Sequence, residues 1–312
     1  MSLRIALFGQ APLAVDVLDG LLEAGHEIAA VYAPPDSGRP DALAARAEAH
    51  GLTLFRRRYF RRKGGGAIPA ALDDYRKLQV ELNVLASMTS FLPGEITDAP
   101  AHKSVCYHPS LLPRFRGGNA LQWQVILGEA ETGVSVFVPD EGADTGPVVV
   151  QKGGEKLGPG DTAGSLFFDK LYPLGVRAVL EAVAQIDDGS AAPRAQDESQ
   201  ATHQGLVDDE IAAIDLARPA DEIDRLVRGC DPQPGAWLRI TGQPVRLYDA
   251  ALEAGAGDDA GTLLEVGEKA IRLALDGGVL RIGRVRADAG KEPAAEFARR
   301  AGLQAGARLP SG

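Results

Sequence analysis

The chain has 312 residues, 45% hydrophobic and 24% charged, and a formal net charge of -10 at pH 7. That length suits two cores better than one, no apolar run reaches the roughly 18 residues of a bilayer span, and the acidic balance argues against a surface built throughout for nucleic acid. The start of the chain lacks the cleavage pattern of a secretory signal, so a cytoplasmic protein without a membrane partner is expected. The two cysteines, Cys106 and Cys230, are isolated, too few to hold a metal alone, and not expected to pair in that compartment.

In chain order, Leu3 to Phe8 reads as a strand ending at Gly9, Ala14 to Leu22 as an amphipathic helix, and Glu27 to Tyr32 as a second strand. Asp41 to His50 follows as a helix, Leu52 to Phe55 as a short strand, and Val80 to Ala86 and the residues around Val105 as buried strands. This alternation predicts an α/β fold with a doubly wound, mostly parallel sheet, whose ligand sits beyond the carboxyl ends of the strands. Gly9-Gln10-Ala11-Pro12 lacks the glycine fingerprint of a dinucleotide site, so no NAD(P) is expected.

Gly133 to Val138 is a further strand, and Asp161-Thr162 caps a long helix predicted over Leu166 to Ile186. Residues 187–204 are polar and read as a linker. The spacing predicts a first domain over 1–203 and a second over 204–312, the latter with a helix from Glu210 to Gly229 and then short strands that suggest a small, OB-like β-barrel.

Two strand ends carry candidate chemistry. His108 lies in Val105-Cys-Tyr-His-Pro-Ser-Leu-Leu-Pro113, ahead of an arginine-glycine turn over Arg114 to Gly118, and Asp144 opens Asp144-Thr145-Gly146 after the Gly133 strand. A histidine is informative only with a partner that sets its charge. Two strand ends of a parallel sheet can converge on one crevice, where a histidine-carboxylate pair suits proton transfer and stabilisation of an oxyanion. Asp144, like Asp140, also suits a plain turn former. Cys106 is either a small buried hydrophobe or a nucleophile, though no basic residue adjoins it in sequence. Arg56 to Lys63 holds six positive residues within the nine of Phe55 to Lys63, either a solvated loop or an attractor for anions.

The combination of His108-Pro-Ser-Leu-Leu-Pro113, the arginine and glycines after it, and Asp144-Thr145-Gly146 resembles the signature of the folate-dependent formyltransferase family. The Tyr107-His108 pair, the Glu81-Leu-Asn-Val-Leu85 run and Pro234-Gly-Ala-Trp237 bring the hydrolase domains of 10-formyltetrahydrofolate dehydrogenases nearest, and methionyl-tRNA formyltransferases further off. The resemblance implies 10-formyltetrahydrofolate as formyl donor, no metal, and a small β-barrel after the catalytic domain. It makes His108 and Asp144 catalytic, with Cys106 a third candidate, and Ser90, Phe91, Leu92 and Asp144 contacts to the folate. Most transferases of the family place an asparagine where this chain has Cys106, a much weaker donor, which implies hydrolysis to formate and tetrahydrofolate. Transfer to an amine, or folate binding without turnover, are the alternatives. From Leu206 onward there are 14 Lys/Arg and 18 Asp/Glu, so a tRNA partner is not expected. Oligomeric state leaves no signal.

Overall fold

The computed structural model describes residues 2–88, 90–255, 259–288 and 290–310. The chain divides into two compact units, one of Met1–Gly117, Gly133–Glu155 and Asp169–His203, the other of Gly118–Thr132, Lys156–Phe168 and Gln204–Gly312.

The first unit is built on β1 (Arg4–Gly9), β2 (Glu27–Ala33), β3 (Leu54–Arg56), β4 (Leu82–Ala86), β5 (Ser104–His108), a two-residue β6 (Arg116–Gly117), β7 (Glu131–Phe137) and β8 (Val148–Lys156). Seven of these form one sheet in the order β3-β2-β1-β4-β5-β7-β8. Neighbours from β3 to β5 run parallel and β7 runs antiparallel to β5, which bears out the mostly parallel α/β expectation. The order reverses between β1 and β4, where open α/β sheets bind ligands.

Helices α1 (Leu13–Glu23), α2 (Ala42–Ala49), α3 (Pro69–Arg76) and α4 (Gly94–Thr97) join the strands. Because both faces are covered, the strands are continuous apolar runs. On one face Phe8 stacks on Tyr32 at 4.3 Å between ring centres, in a cluster with Ala6, Phe60, Tyr75, Leu85 and Ile96. Asn83, fully buried in β4, stays satisfied: it accepts from Tyr75 and donates to the Ile96 carbonyl and to Ser104.

After α5 (Ala120–Ile126) and a short α6 (Ala163–Ser165), the single helix predicted over 166–186 falls into two parts, a π-helical turn (Leu166–Leu171) and α7 (Tyr172–Asp187). Thr162 is the cap, exchanging hydrogen bonds with Ser165. Pro173 then stands in the first turn of α7; with no N–H to give, it ends the ladder arriving from upstream.

A second strand pair member, β9 (His203–Gln204), precedes the other unit's single long helix, α8 (Ala220–Gly229). The helix predicted from Glu210 begins ten residues late. Pro219 is extended (φ -56, ψ 147), and upstream the carboxylates of Asp208 and Asp215 accept from the amides of Ile211 and Ala217, closing turns that compete with helix. Next come β10 (Trp237–Ile240), β11 (Gln243–Glu253), β12 (Leu263–Val266), β13 (Ile271–Leu275), β14 (Gly278–Ala287), β15 (Gly290–Pro293) and α9 (Ala294–Arg300). The sheet is antiparallel with the path β10-β11-β14-β13-β12 and β15 on β14. The expected small barrel is thus a half-barrel whose first and last strands are not paired among the described residues. Pro234 to Trp237 is a corner of it: Gly235 has φ +90, and a Cβ there would lie 2.3 Å from the Tyr248 hydroxyl. No described helix is long and apolar enough to cross a membrane.

Inside this unit Arg228 donates to Asp224 at 2.7 Å and to the Asp161 carbonyl at 2.7 Å, with Asp224 5% and Arg228 8% exposed. Burial pushes the Asp224 carboxyl up while Arg228 opposes the shift. Removing one member of such a pair strands the other charge. Arg228→Met is expected to lose about 3–5 kcal/mol of stability in urea unfolding; a loss below about 1 kcal/mol would show the pair to be a spectator.

Candidate active site

β7 runs antiparallel to β5 with Ser135 opposite His108 and Phe137 opposite Cys106, so the loop after β7 leaves beside the last residues of β5 and folds back to bring Asp144 to His108. His108 Nδ1 lies 3.5 Å from Asp144 Oδ2, and the His108 side chain is 8% exposed. Its other nitrogen, Nε2, is 2.7 Å from the Phe115 carbonyl oxygen. A carbonyl only accepts, so Nε2 donates and the neutral ring presents a bare Nδ1 lone pair to Asp144. Two acceptors then face each other across a gap that suits a shared proton and is too narrow for a further heavy atom, so a donor such as water would bridge them from the side.

Asp144 is not the turn former. That task falls to Asp140, which accepts from the Gly142 amide at 3.0 Å and from the Thr145 hydroxyl at 2.5 Å. The Asp144 carboxylate instead accepts from the Gly117 amide at 2.7 Å, with its own backbone in the left-handed region at φ 59, a conformation aspartate tolerates better than most residues. Gly146 is required beside it, since a Cβ there would sit 1.8 Å from the Val138 carbonyl oxygen.

The Pro-Ser-Leu-Leu-Pro frame is scaffold. Ser110 donates to the Arg114 carbonyl, Ser135 of β7 donates to the Ser110 carbonyl at 2.7 Å and accepts from the Leu112 amide, and Gln151 of β8 donates to Ser135 and to the Leu112 carbonyl. Thr202 completes it, accepting from the Phe115 amide at 2.8 Å and bonding through its own backbone to Pro113 and Arg116. The polar stretch 187–204 is therefore exposed but pinned. Ser135, Gln151, Gln196 and Thr202 carried no signal in the sequence, because single polar residues in a strand or a coil have no pattern; Arg116 was legible only as part of a turn.

Burial dominates the electrostatics. It lowers the His108 pKa below its ordinary 6.5, opposed by the Asp144 charge and the Phe115 carbonyl. It pushes the Cys106 thiol far up, as does the Asp144 charge. Cys106 packs on the aromatic cluster, and its sulfur reaches only the Tyr107 carbonyl, at 3.7 Å. The thiol is thus held neutral, and the nucleophile reading of Cys106 lacks an activating base.

The folate candidates fall beyond β4. Ser90 donates to the Arg58 carbonyl at 3.0 Å, Phe91 is 66% exposed, and Leu92 packs on the cluster that also takes Cys106. The basic run is anchored: Phe60 is buried in that cluster, Arg56 faces Asp41 and Arg57 faces Asp74. At its foot a cavity of about 570 Å³ opens over the ends of β1 to β4, lined by Gly9, Tyr32, Arg57, Arg58, Met88 and Ser90. It shares the sheet rim with His108 and Asp144 but not their lining. Among the described residues no three His, Cys, Asp or Glu side chains gather as a metal site.

Two measurements follow. The His108 ring is expected to titrate below 6.5 by NMR, and since the folded chain then binds fewer protons than the unfolded one, its contribution to stability is present above pH 6.5 and lost as pH falls; a value above 6.5 would contradict the burial argument. Native Cys106 is expected to resist alkylation at pH 8, and rapid labelling there would restore it as a reactive thiol.

The formyl transferase model matches residues 3–179 and the formyl transferase C-terminal domain model residues 207–302. The chain is 40% identical over 252 residues to mitochondrial 10-formyltetrahydrofolate dehydrogenase of Mus musculus, covering 80% of this chain but only 27% of that protein. It is 37% identical to methionyl-tRNA formyltransferase of Dinoroseobacter shibae, over 98% of this chain and 100% of that one. Two solved structures share the fold: HypX from Aquifex aeolicus in complex with tetrahydrofolic acid, with TM-score 0.73, 20% identity and 96% of this chain over 48% of that one, and an N-formyltransferase from Helicobacter canadensis, with TM-score 0.68, 18% identity and 90% over 99%. From the first strand to the last helix, the chain belongs to the formyl transferase family.

Proposed function

We propose that the protein hydrolyses 10-formyltetrahydrofolate to formate and tetrahydrofolate, with a catalytic domain over 1–203 and a second domain over 204–312. The reading is carried by one observation: a buried imidazole and a carboxylate face each other as two acceptors across 3.5 Å. In this reading a water bridges the pair from the side, donating to Asp144 while its oxygen stays within reach of the formyl carbon. Its oxygen attacks the formyl carbon as its proton passes to the pair. His108, protonated at Nδ1, then serves the oxyanion and delivers the proton to N10 as the carbon-nitrogen bond breaks. The products are formate and tetrahydrofolate, and no metal or nicotinamide enters the balance.

The pterin is assigned to the segment Ser90 to Leu92. Among the described residues, the main-chain groups of Phe91 and Leu92 make no hydrogen bond, which leaves them to recognise a heterocycle edge through backbone. Arg57 and Arg58 supply charge for an anionic group, the glutamate end of folate or a phosphate on an acceptor. Cys106 acts as a neutral wall where an amide would favour an amine acceptor. Transfer to an amine is the second reading, favoured by the full-length match to a methionyl-tRNA formyltransferase. The acidic second domain weighs against tRNA itself.

Incubation with 10-formyltetrahydrofolate alone is expected to release formate; turnover only on addition of an amine would establish transfer instead. His108→Ala and Asp144→Ala are each expected to lower kcat by about 10²–10⁴-fold, and the double variant little further, because the two act as a unit. The acid limb of kcat/KM is expected below pH 6.5, following the lowered histidine.

A further inference from the structure

We propose that Gln196 and Arg116 are positioning residues that hold Asp144 against His108, an inference that rests on reading those two as the reacting pair. Gln196 is the one half-buried side chain between the exposed residues 192–195 and 197–200. Its carbonyl oxygen accepts from Arg116 Nε at 3.0 Å and Nη2 at 2.8 Å. That contact fixes which way the amide points, since a flipped amide would set N–H against guanidinium. The NH2 group therefore faces the other way and donates to two carbonyls of the catalytic turn, Asp144 at 2.8 Å and Gly146 at 2.7 Å.

Arg116 is itself 1% exposed and forks onto Glu198 with bonds of 2.9 and 2.6 Å. The next residue, Gly117, donates its amide to the Asp144 carboxylate. Asp144 is thus gripped at both ends, its carbonyl by Gln196 and its side chain by Gly117, and both grips trace to the same arginine turn. The left-handed backbone of Asp144 persists only where its surroundings over-determine it. Gln196, Arg116 and Glu198 make no bond to either of the two facing atoms, His108 Nδ1 and Asp144 Oδ2, so their action is through the aspartate.

The test compares wild type with Gln196→Met, which keeps the length of the side chain and removes its polarity without adding charge, and with Glu198→Ala at the exposed end of the fork. Formate release, melting temperature and the His108 ring titration by NMR are read in each. Gln196→Met is expected to lower kcat by about 10²-fold, the scale of a misplacement near 1 Å, with KM changed by less than about threefold. The His108 titration is expected to move further down, because the Asp144 charge that holds it up is displaced. Glu198→Ala is expected to shift both readouts in the same direction by less, about threefold in kcat, and it serves where Gln196→Met does not fold. A folded Gln196→Met with wild-type kcat and titration overturns the proposal, as does an unchanged Glu198→Ala. If wild type releases no formate, the hydrolase reading falls while the titration still judges the clamp; an active wild type with unmoved variants sinks the clamp alone.

Discussion

The Phe115 carbonyl oxygen takes a hydrogen bond from His108 Nε2 at 2.7 Å, and because a carbonyl has no proton to give, that contact decides which nitrogen of the ring is free. The decision is made by the main chain. Phe115 is itself left-handed, at φ 59, and its amide is tied to Thr202. The chemistry of the rim therefore depends on a backbone conformation in a loop, which in turn depends on a residue 87 positions later. The serine, glutamine and threonine bonds around Pro-Ser-Leu-Leu-Pro maintain that conformation, and the packing of the sheet supplies the low dielectric that makes the proton's place matter.

Burial moves the pKa values of two residues of one strand in opposite directions. At Cys106 it favours the protonated thiol, and at His108 it favours the neutral ring. Both residues lose their charged form, yet only the histidine has a carboxylate within reach of a shared proton. A single strand end thus holds two neutral groups, of which only the histidine faces a carboxylate, and they are distinguished by partners rather than by exposure.

The parallel strands and the helices of the first unit were legible because an apolar run bounded by glycine or by a helical repeat has few alternatives. His108 and Asp144 were legible through their motif, and the structure separates Asp144 from Asp140, which spacing did not. Other features were hidden for physical reasons. Pro173 and Pro219 interrupt patterns that remain amphipathic on either side, so the helices through 166–186 and 210–229 looked continuous. Gln196 and Thr202 sit among polar residues whose composition is that of a linker, and only hydrogen-bond direction in three dimensions sets them apart. The division of the chain into units also draws on segments, Gly118–Thr132 and Lys156–Phe168, that no local signal distinguishes from their neighbours.

The anchored basic loop has a bearing on encounter as distinct from reaction. Phe60 is inserted in the aromatic cluster, and the Phe60 carbonyl and Arg62 amide are bonded to Ile68 and Gly66, so the backbone that carries the arginines is anchored on a chain of net charge -10. An anion approaching at long range meets repulsion, and the sign reverses only within about 8 Å of the loop at physiological salt. On the proposed reading, ionic strength then governs capture of an anionic substrate, while the buried histidine is largely shielded from it. On that reading, the fold separates the two stages of turnover by the medium each one senses.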